Sequence, residues 1–135
     1  GCYERLYTAE HMAANKGQNV SSMQVQLGQT GGGEEDDDTL GLRLRFSRAL
    51  YYTRLFCKDM GAGLVCTTDK KGDSIRIDPT AKGMKLTLQT NIFMPEEAMG
   101  GDIGETLKKG RDNGVFALVK VSSGYCEKAR MENNR

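Results

Sequence analysis

The amino-acid sequence predicts a mostly β fold. It reads as an antiparallel meander of about seven to eight strands, closed into a small barrel or packed as a sandwich, with one short N-terminal helix. Three observations carry this. Apolar residues recur at every second position in stretch after stretch, the pattern of half-buried strands. Turn sequences rich in Gly and Asp separate those stretches. The composition is that of a loop-rich β protein, with 17 glycines, 2 prolines and no tryptophan in 135 residues.

A chain of this length forms one domain, 1–135, and buries roughly two thirds of its unfolded surface. The 19 Lys and Arg nearly balance the 18 Asp and Glu, for a net charge of +1. No bulk attraction to nucleic acid or to an anionic membrane follows. No apolar run approaches the roughly 20 residues that cross a bilayer, so neither a nucleic-acid partner nor a transmembrane segment is expected.

The central stretch runs from Arg54 to Asp69. Leu55, Cys57, Leu64 and Cys66 alternate with mostly polar neighbours on either side of Met60-Gly61-Ala62-Gly63. Gly at the first central position suits a type II′ turn, whose twist matches that of a hairpin. With Gly61-Ala62 as the loop, Met60 pairs with Gly63, Lys58 with Val65, and Cys57 with Cys66. Facing cysteines on antiparallel strands are close enough for a disulfide.

From the N-terminus, Thr8 is a plausible N-cap, Glu10 lies in the first turn and Gly17 can close the C-terminus. This predicts a helix of about two turns with Met12 facing inward. The lone histidine, His11, sits on it; a single His on a short helix is more often a surface or capping residue than a ligand. Asn19 to Gln29 reads as a strand with Val20, Met23, Val25 and Leu27 on one face. The acidic loop 30–38 follows. Clustered carboxylates suit a hard cation, but neither frame fits the EF-hand spacing, and the reading preferred is a solvated hairpin tip.

Thr39 to Ser47 places Leu40, Leu42, Leu44 and Phe46 inward, and a strand from Tyr52 to Cys57 returns with Leu44 opposite Leu55 and Leu42 opposite Cys57. Two further hairpins turn at 70–73 and at 79–82, pairing Thr68 with Ile75 and Ile77 with Met84. Five consecutive strands from Thr39 to Thr90 thus share one apolar face. The segment 91–113 reads as a long loop, a lid or partner-contacting element, with a helical first turn at Pro95-Glu96-Glu97 and a weak edge strand at 103–109 as the alternative. Its glycines do not fit a phosphate-binding loop. Val115 to Val121 is apolar on both faces and should be central; the tail 128–135 is charged.

Four cysteines form an even set. Paired as Cys2–Cys126 and Cys57–Cys66, they supply one long clasp and one short staple, which needs an oxidising compartment. The expected location is therefore periplasmic or secreted, with any signal peptide removed. A lipoprotein anchored at Cys2 is the alternative, although it would strand Cys126. The opening CYERLYTAEHMAANKGQ resembles that of small secreted bacterial proteins, a resemblance that implies no function.

No nucleophile–base pair, metal-ligand spacing or cofactor motif is present in the sequence, so catalytic residues, metal and cofactor are all assigned as none, and an enzyme is disfavoured. The outward face of the meander is more informative. The expected registers align Arg45, Arg54, Asp69, Ser74 and Thr87 in one row and Arg43, Phe56, Thr67, Arg76 and Lys85 in the next. Arg43, Arg45, Arg54, Phe56, Arg76 and Lys85 would then form a basic patch with an exposed aromatic, against the plainer reading of an ordinary solvated face. The function expected is a non-enzymatic binding module that recognises a protein or an anionic glycan, with inhibition of that partner as one mode of action. Two alternatives stand beside it: a lipocalin-like carrier of a small apolar ligand and an envelope glycan hydrolase working with loop carboxylates. A lined cavity would favour the carrier, and two facing carboxylates the hydrolase.

Overall fold

A computed structural model describes residues 1–15, 20–28, 39–46, 49–68, 72–97, 104–110 and 114–122. In chain order the elements are β1 (Cys2–Leu6), α1 (Ala9–Ala14), β2 (Val20–Leu27), β3 (Thr39–Phe46), β4 (Ala49–Asp59), β5 (Leu64–Thr67), β6 (Ser74–Pro79), β7 (Gly83–Leu88), β8 (Ile92–Pro95), β9 (Gly104–Leu107) and β10 (Val115–Val121). Eight of the strands close into an antiparallel barrel in the order β1-β10-β7-β6-β5-β4-β3-β2, and β8 and β9 form a separate two-stranded sheet. Closure removes the unpaired edges that an open sheet of this size would expose.

Alternation decides which side chains fill the interior. Met23 and Val25 of β2, Leu40, Leu42 and Leu44 of β3, Leu55 of β4, Ile75 of β6, Leu86 and Leu88 of β7 and Phe116 of β10 are fully buried in a single cluster. An eight-stranded barrel is just wide enough to be filled by such side chains or to hold one small ligand. Their neighbours Arg45, Arg54, Arg76 and Lys85 lie on the outer wall.

The β4–β5 hairpin has the expected pairing: Cys57 faces Cys66 and Lys58 faces Val65, and the Cys57–Cys66 disulfide bridges Cα atoms 3.9 Å apart. The Met60 N–H donates to the Gly63 carbonyl at 2.8 Å, with Gly61 at φ +94°. Cys2 is also disulfide-bonded; its expected partner Cys126 lies outside the described residues, as do the acidic loop from 30 to 38 and the tail 128–135.

Three registers differ from expectation. Leu44 faces Tyr51 and Leu40 faces Leu55, a slip of four residues from the expected Leu44–Leu55 pair. Ile75 faces Cys66 rather than Thr68, and Ile77 faces Leu86 rather than Met84, slips of two. All are even. Sliding an alternating strand by an even number keeps its apolar face inward, so burial does not choose among these registers, and the length of the turn does. Phe46 already pairs with Ala49, whereas the sequence suggested a wider turn over 48–51.

Other corrections concern the ends. The residues ahead of the helix form β1, which pairs with both β2 and β10 and so closes the barrel. Helix α1 is capped by Thr8 as expected, but it buries no residue, and Met12 is only half-buried. The segment 91–113 is not a plain loop, because β8 and β9 pair within it; Pro95 ends a strand and Glu96 bridges to Tyr51, in place of a helical turn. The outer face of β10 is not covered by described residues: Val115 and Val119 are 57% and 44% exposed. No helix among the described residues is long and apolar enough to cross a membrane.

Candidate functional site

The two ends of the barrel differ. At one end, where β7 stops and β4 and β6 begin, the β8–β9 hairpin folds across. Ile92, Met94 and Leu107 are fully buried in the same cluster as the interior. The hairpin is tied down by polar contacts. The Glu97 N–H donates to the Leu50 carbonyl, and the Phe93 N–H donates to an Asp73 carboxylate oxygen. Glu97 also accepts a 2.7 Å hydrogen bond from Arg43 Nε, and both side chains are less than one-fifth exposed. Tyr51 is buried beneath this cap. Burial pushes its hydroxyl above the ordinary pKa of 10, and the nearby Glu96 and Glu105 act in the same direction. On the same end Tyr7 stacks on His11 and lies under the Arg5 guanidinium. Burial raises its pKa too, while Arg5 pulls it back.

The opposite end is, among the described residues, an open mouth. A cavity of about 260 Å³ lies there, lined chiefly by Tyr3, Leu27, Leu64, Ile77 and Met84, with Asp59 and the Gly61–Gly63 turn forming one wall. The local sequence explains the wall. The Gly61 N–H donates to Asp59 Oδ1 at 2.8 Å, a side-chain-capped turn of the kind that short acidic residues favour. A Cβ on Gly63 would stand 2.5 Å from the Ile77 carbonyl oxygen, so only Gly lets the turn lie this close to β6. Among the described residues, Asp59 is the one carboxylate in this lining. Glycoside hydrolysis by two flanking carboxylates needs a second.

The six residues of the expected basic patch all lie on the barrel wall, but they do not form the two expected rows. Arg43 is engaged with Glu97, donates from Nη1 to Gln24 Oε1 at 3.3 Å, and stacks over Tyr52. Arg45 faces Leu50, not Arg54, and Arg54 faces Gly41. Arg76 pairs with Asp78 on its own strand at 3.1 Å, and Lys85 sits opposite that same Asp78. Phe56 lies between Thr39 and Thr67 and is 44% exposed. With Lys58, Met60, Val65 and Thr67 it lines an open groove on the outer face of the β4–β5 hairpin.

The mouth was not singled out from the sequence. Part of the signal was available: in a meander alternate turns share one end, so the inward residues beside the 61–62 and 80–83 turns must converge with the end of β2.

Fold and site together define a class, a small closed antiparallel barrel whose described residues cap one end and leave the other open and apolar. No family model, no curated protein and no solved structure matches the chain.

Proposed function

We propose that the protein is a non-enzymatic binding barrel that carries a small apolar ligand in its open mouth. The observation that supports this is the apolar mouth cavity facing solvent, opposite an end that is closed by the β8–β9 hairpin. Concave, mostly apolar, largely pre-formed sites at the mouths of β-barrels are where small ligands bind. The dispersal of the basic rows is the reason this reading is preferred to an anion-binding face. The Cys57–Cys66 disulfide supports an oxidising compartment, periplasmic or secreted.

The test is a fluorescence titration with the neutral probe N-phenyl-1-naphthylamine. Saturable one-to-one binding is expected, competed by 1-octanol and abolished by Leu64→Trp, which fills the mouth. Val115→Thr, on the outer wall, should bind as the parent does. Non-saturable fluorescence, or equal binding by Leu64→Trp, would remove the proposal.

A second reading rests on a separate observation, the exposure of Phe56 and Met60 (44% and 55%) beside Arg54 and Lys58 on the outer hairpin face. An exposed aromatic with flanking cations suits a protein or anionic-glycan partner. Retention on a heparin column at physiological salt, lost in Arg54→Ser/Lys58→Ser, would support it; elution with the void volume would end it.

A further inference from the structure

Building on the mouth as a ligand site, we infer that the ligand it prefers is an apolar amine. Its hydrocarbon body would lie against Leu27, Leu64, Ile77 and Met84, and its ammonium would face Asp59 and Tyr3. Three features of the mouth support this. First, among the described residues Asp59 is the one charged side chain in the lining, and the described lining around it is otherwise largely hydrocarbon. Second, its carboxylate spends only Oδ1 on the turn, accepting from the Gly61 N–H, so accepting capacity is left over on a site wall. Third, Tyr3 contributes an aromatic ring to the same lining, and the face of such a ring attracts cations.

A carboxylate ligand would be placed beside Asp59 and repelled; a neutral alcohol would gain only from the apolar wall. Two cations stand at the rim beside Tyr3: Lys120, its strand partner, and the Gly1 ammonium, which donates to the Leu27 carbonyl at 3.2 Å. Both are exposed and lie outside the described lining. The cavity of about 260 Å³ encloses on the order of nine non-hydrogen atoms if each occupies about the 30 Å³ of a liquid water. That describes a primary amine with a chain of about eight carbons or a comparable arylalkylamine. The larger fluorescent probe extends past the rim into solvent.

The test compares three ligands of equal length, octylamine, 1-octanol and octanoate, as competitors of N-phenyl-1-naphthylamine at pH 7 and low salt. The expected order of affinity is amine, alcohol, carboxylate, with an advantage of amine over alcohol of about threefold, typical of an exposed ion pair. In Asp59→Asn, whose amide oxygen can still accept from the Gly61 N–H, the amine-to-alcohol ratio should fall to about one. In the unaltered protein the ratio should also shrink at high salt, where exposed charges are screened.

Octanoate binding more tightly than octanol, or an amine advantage that survives both Asp59→Asn and salt, would overturn the inference. If octanol competes and octylamine has no advantage, the mouth remains a ligand site and only the amine preference falls. If none of the three competes, both fall.

Discussion

Replacing Cys57 and Cys66 together by alanine tests the hairpin on which the barrel wall depends. The bond closes a loop with a sequence separation of 9. Releasing it from the unfolded chain restores entropy worth about 2.7 kcal/mol at 25 °C. Cys66 is also fully buried in the core, so truncating it removes packing worth roughly a further 1 kcal/mol. The expected loss is about 3–4 kcal/mol, which for a domain of this size lowers Tm by about 10 °C. A double alanine variant is preferred to chemical reduction, because a reductant would also open the disulfide at Cys2. Stability is read from urea unfolding by circular dichroism. The slope should rise slightly, since the unfolded chain is no longer held together at that point. The connectivity itself is checked by tryptic mapping. Cleavage after Arg54, Lys58 and Lys70 should leave Leu55–Lys58 joined to Asp59–Lys70 until reduction. A loss under about 1 kcal/mol with an unchanged slope, or any other linkage in the map, would refute the reasoning.

Three more expectations follow from single contacts. A Cβ at Gly83 would stand 2.2 Å from the Leu118 carbonyl oxygen and 2.8 Å from the Lys120 nitrogen. Gly83→Ala must therefore move the backbone of β10 and should cost about 3 kcal/mol, whereas Gly61→Ala, with open space around it, should cost only the φ strain of about 1–2 kcal/mol; equal melting of the two would deny the β7–β10 closure. Arg43→Met leaves Glu97 and Gln24 short of a donor in a partly buried setting and should cost about 1–3 kcal/mol. A double-mutant cycle with Glu97→Gln should show coupling, and strict additivity would mean that this contact does not hold the cap. Finally, Tyr51 and Tyr7 have folded pKa values raised above 10. The unfolded chain then loses these protons first, so their stabilising contribution is complete below pH 10 and is lost as pH rises through the folded values. Phenolate absorbance near 295 nm should show late ionisation that Tyr51→Phe and Tyr7→Phe each diminish; ionisation of all tyrosines at the unfolded position would contradict the buried settings.

What the sequence revealed follows the period of the strands. Face assignment was legible: Met23, Val25, Leu40, Leu42, Leu44, Ile75 and Leu86 are all inward, because alternation fixes a side chain's face whatever the register, while Val20 joins them through a register shift between Val20 and Ser22. Lateral alignment was not legible except at Met60–Gly63, where Gly61 dictates the turn and the cysteines confirm the pairing. Elsewhere a slip of two or four kept every apolar residue buried, and the rows of charges moved with it. A site built from residues on different strands needs the register, and this is why Arg45 and Arg54 proved not to be opposed. β1 was hidden for a different reason. Cys2 and Glu4 on its outer side are buried, while Tyr3 and Arg5 on its inner side are large and polar-tipped, so the strand shows no simple apolar alternation. β8 and β9 are four residues each, too short for a period to stand out.

The same structure suggests where stability and function part company. The capped end concentrates the buried side chains of β8 and β9 and the Arg43–Glu97 contact, so opening it would expose apolar surface and break a partly buried ion pair at once. The open end is held by tight turns whose glycines approach neighbouring backbone closely, and one of those turns lies just beyond the Cys57–Cys66 staple. A disulfide placed there limits how far the Asp59–Leu64 wall can spread without filling the mouth with side chains. A cavity that must stay open in a barrel of eight strands gains few of the packing contacts that rigidify the rest. A covalent tie beside the mouth supplies rigidity that packing there does not, so under the proposed carrier function the staple bears on binding as well as on folding.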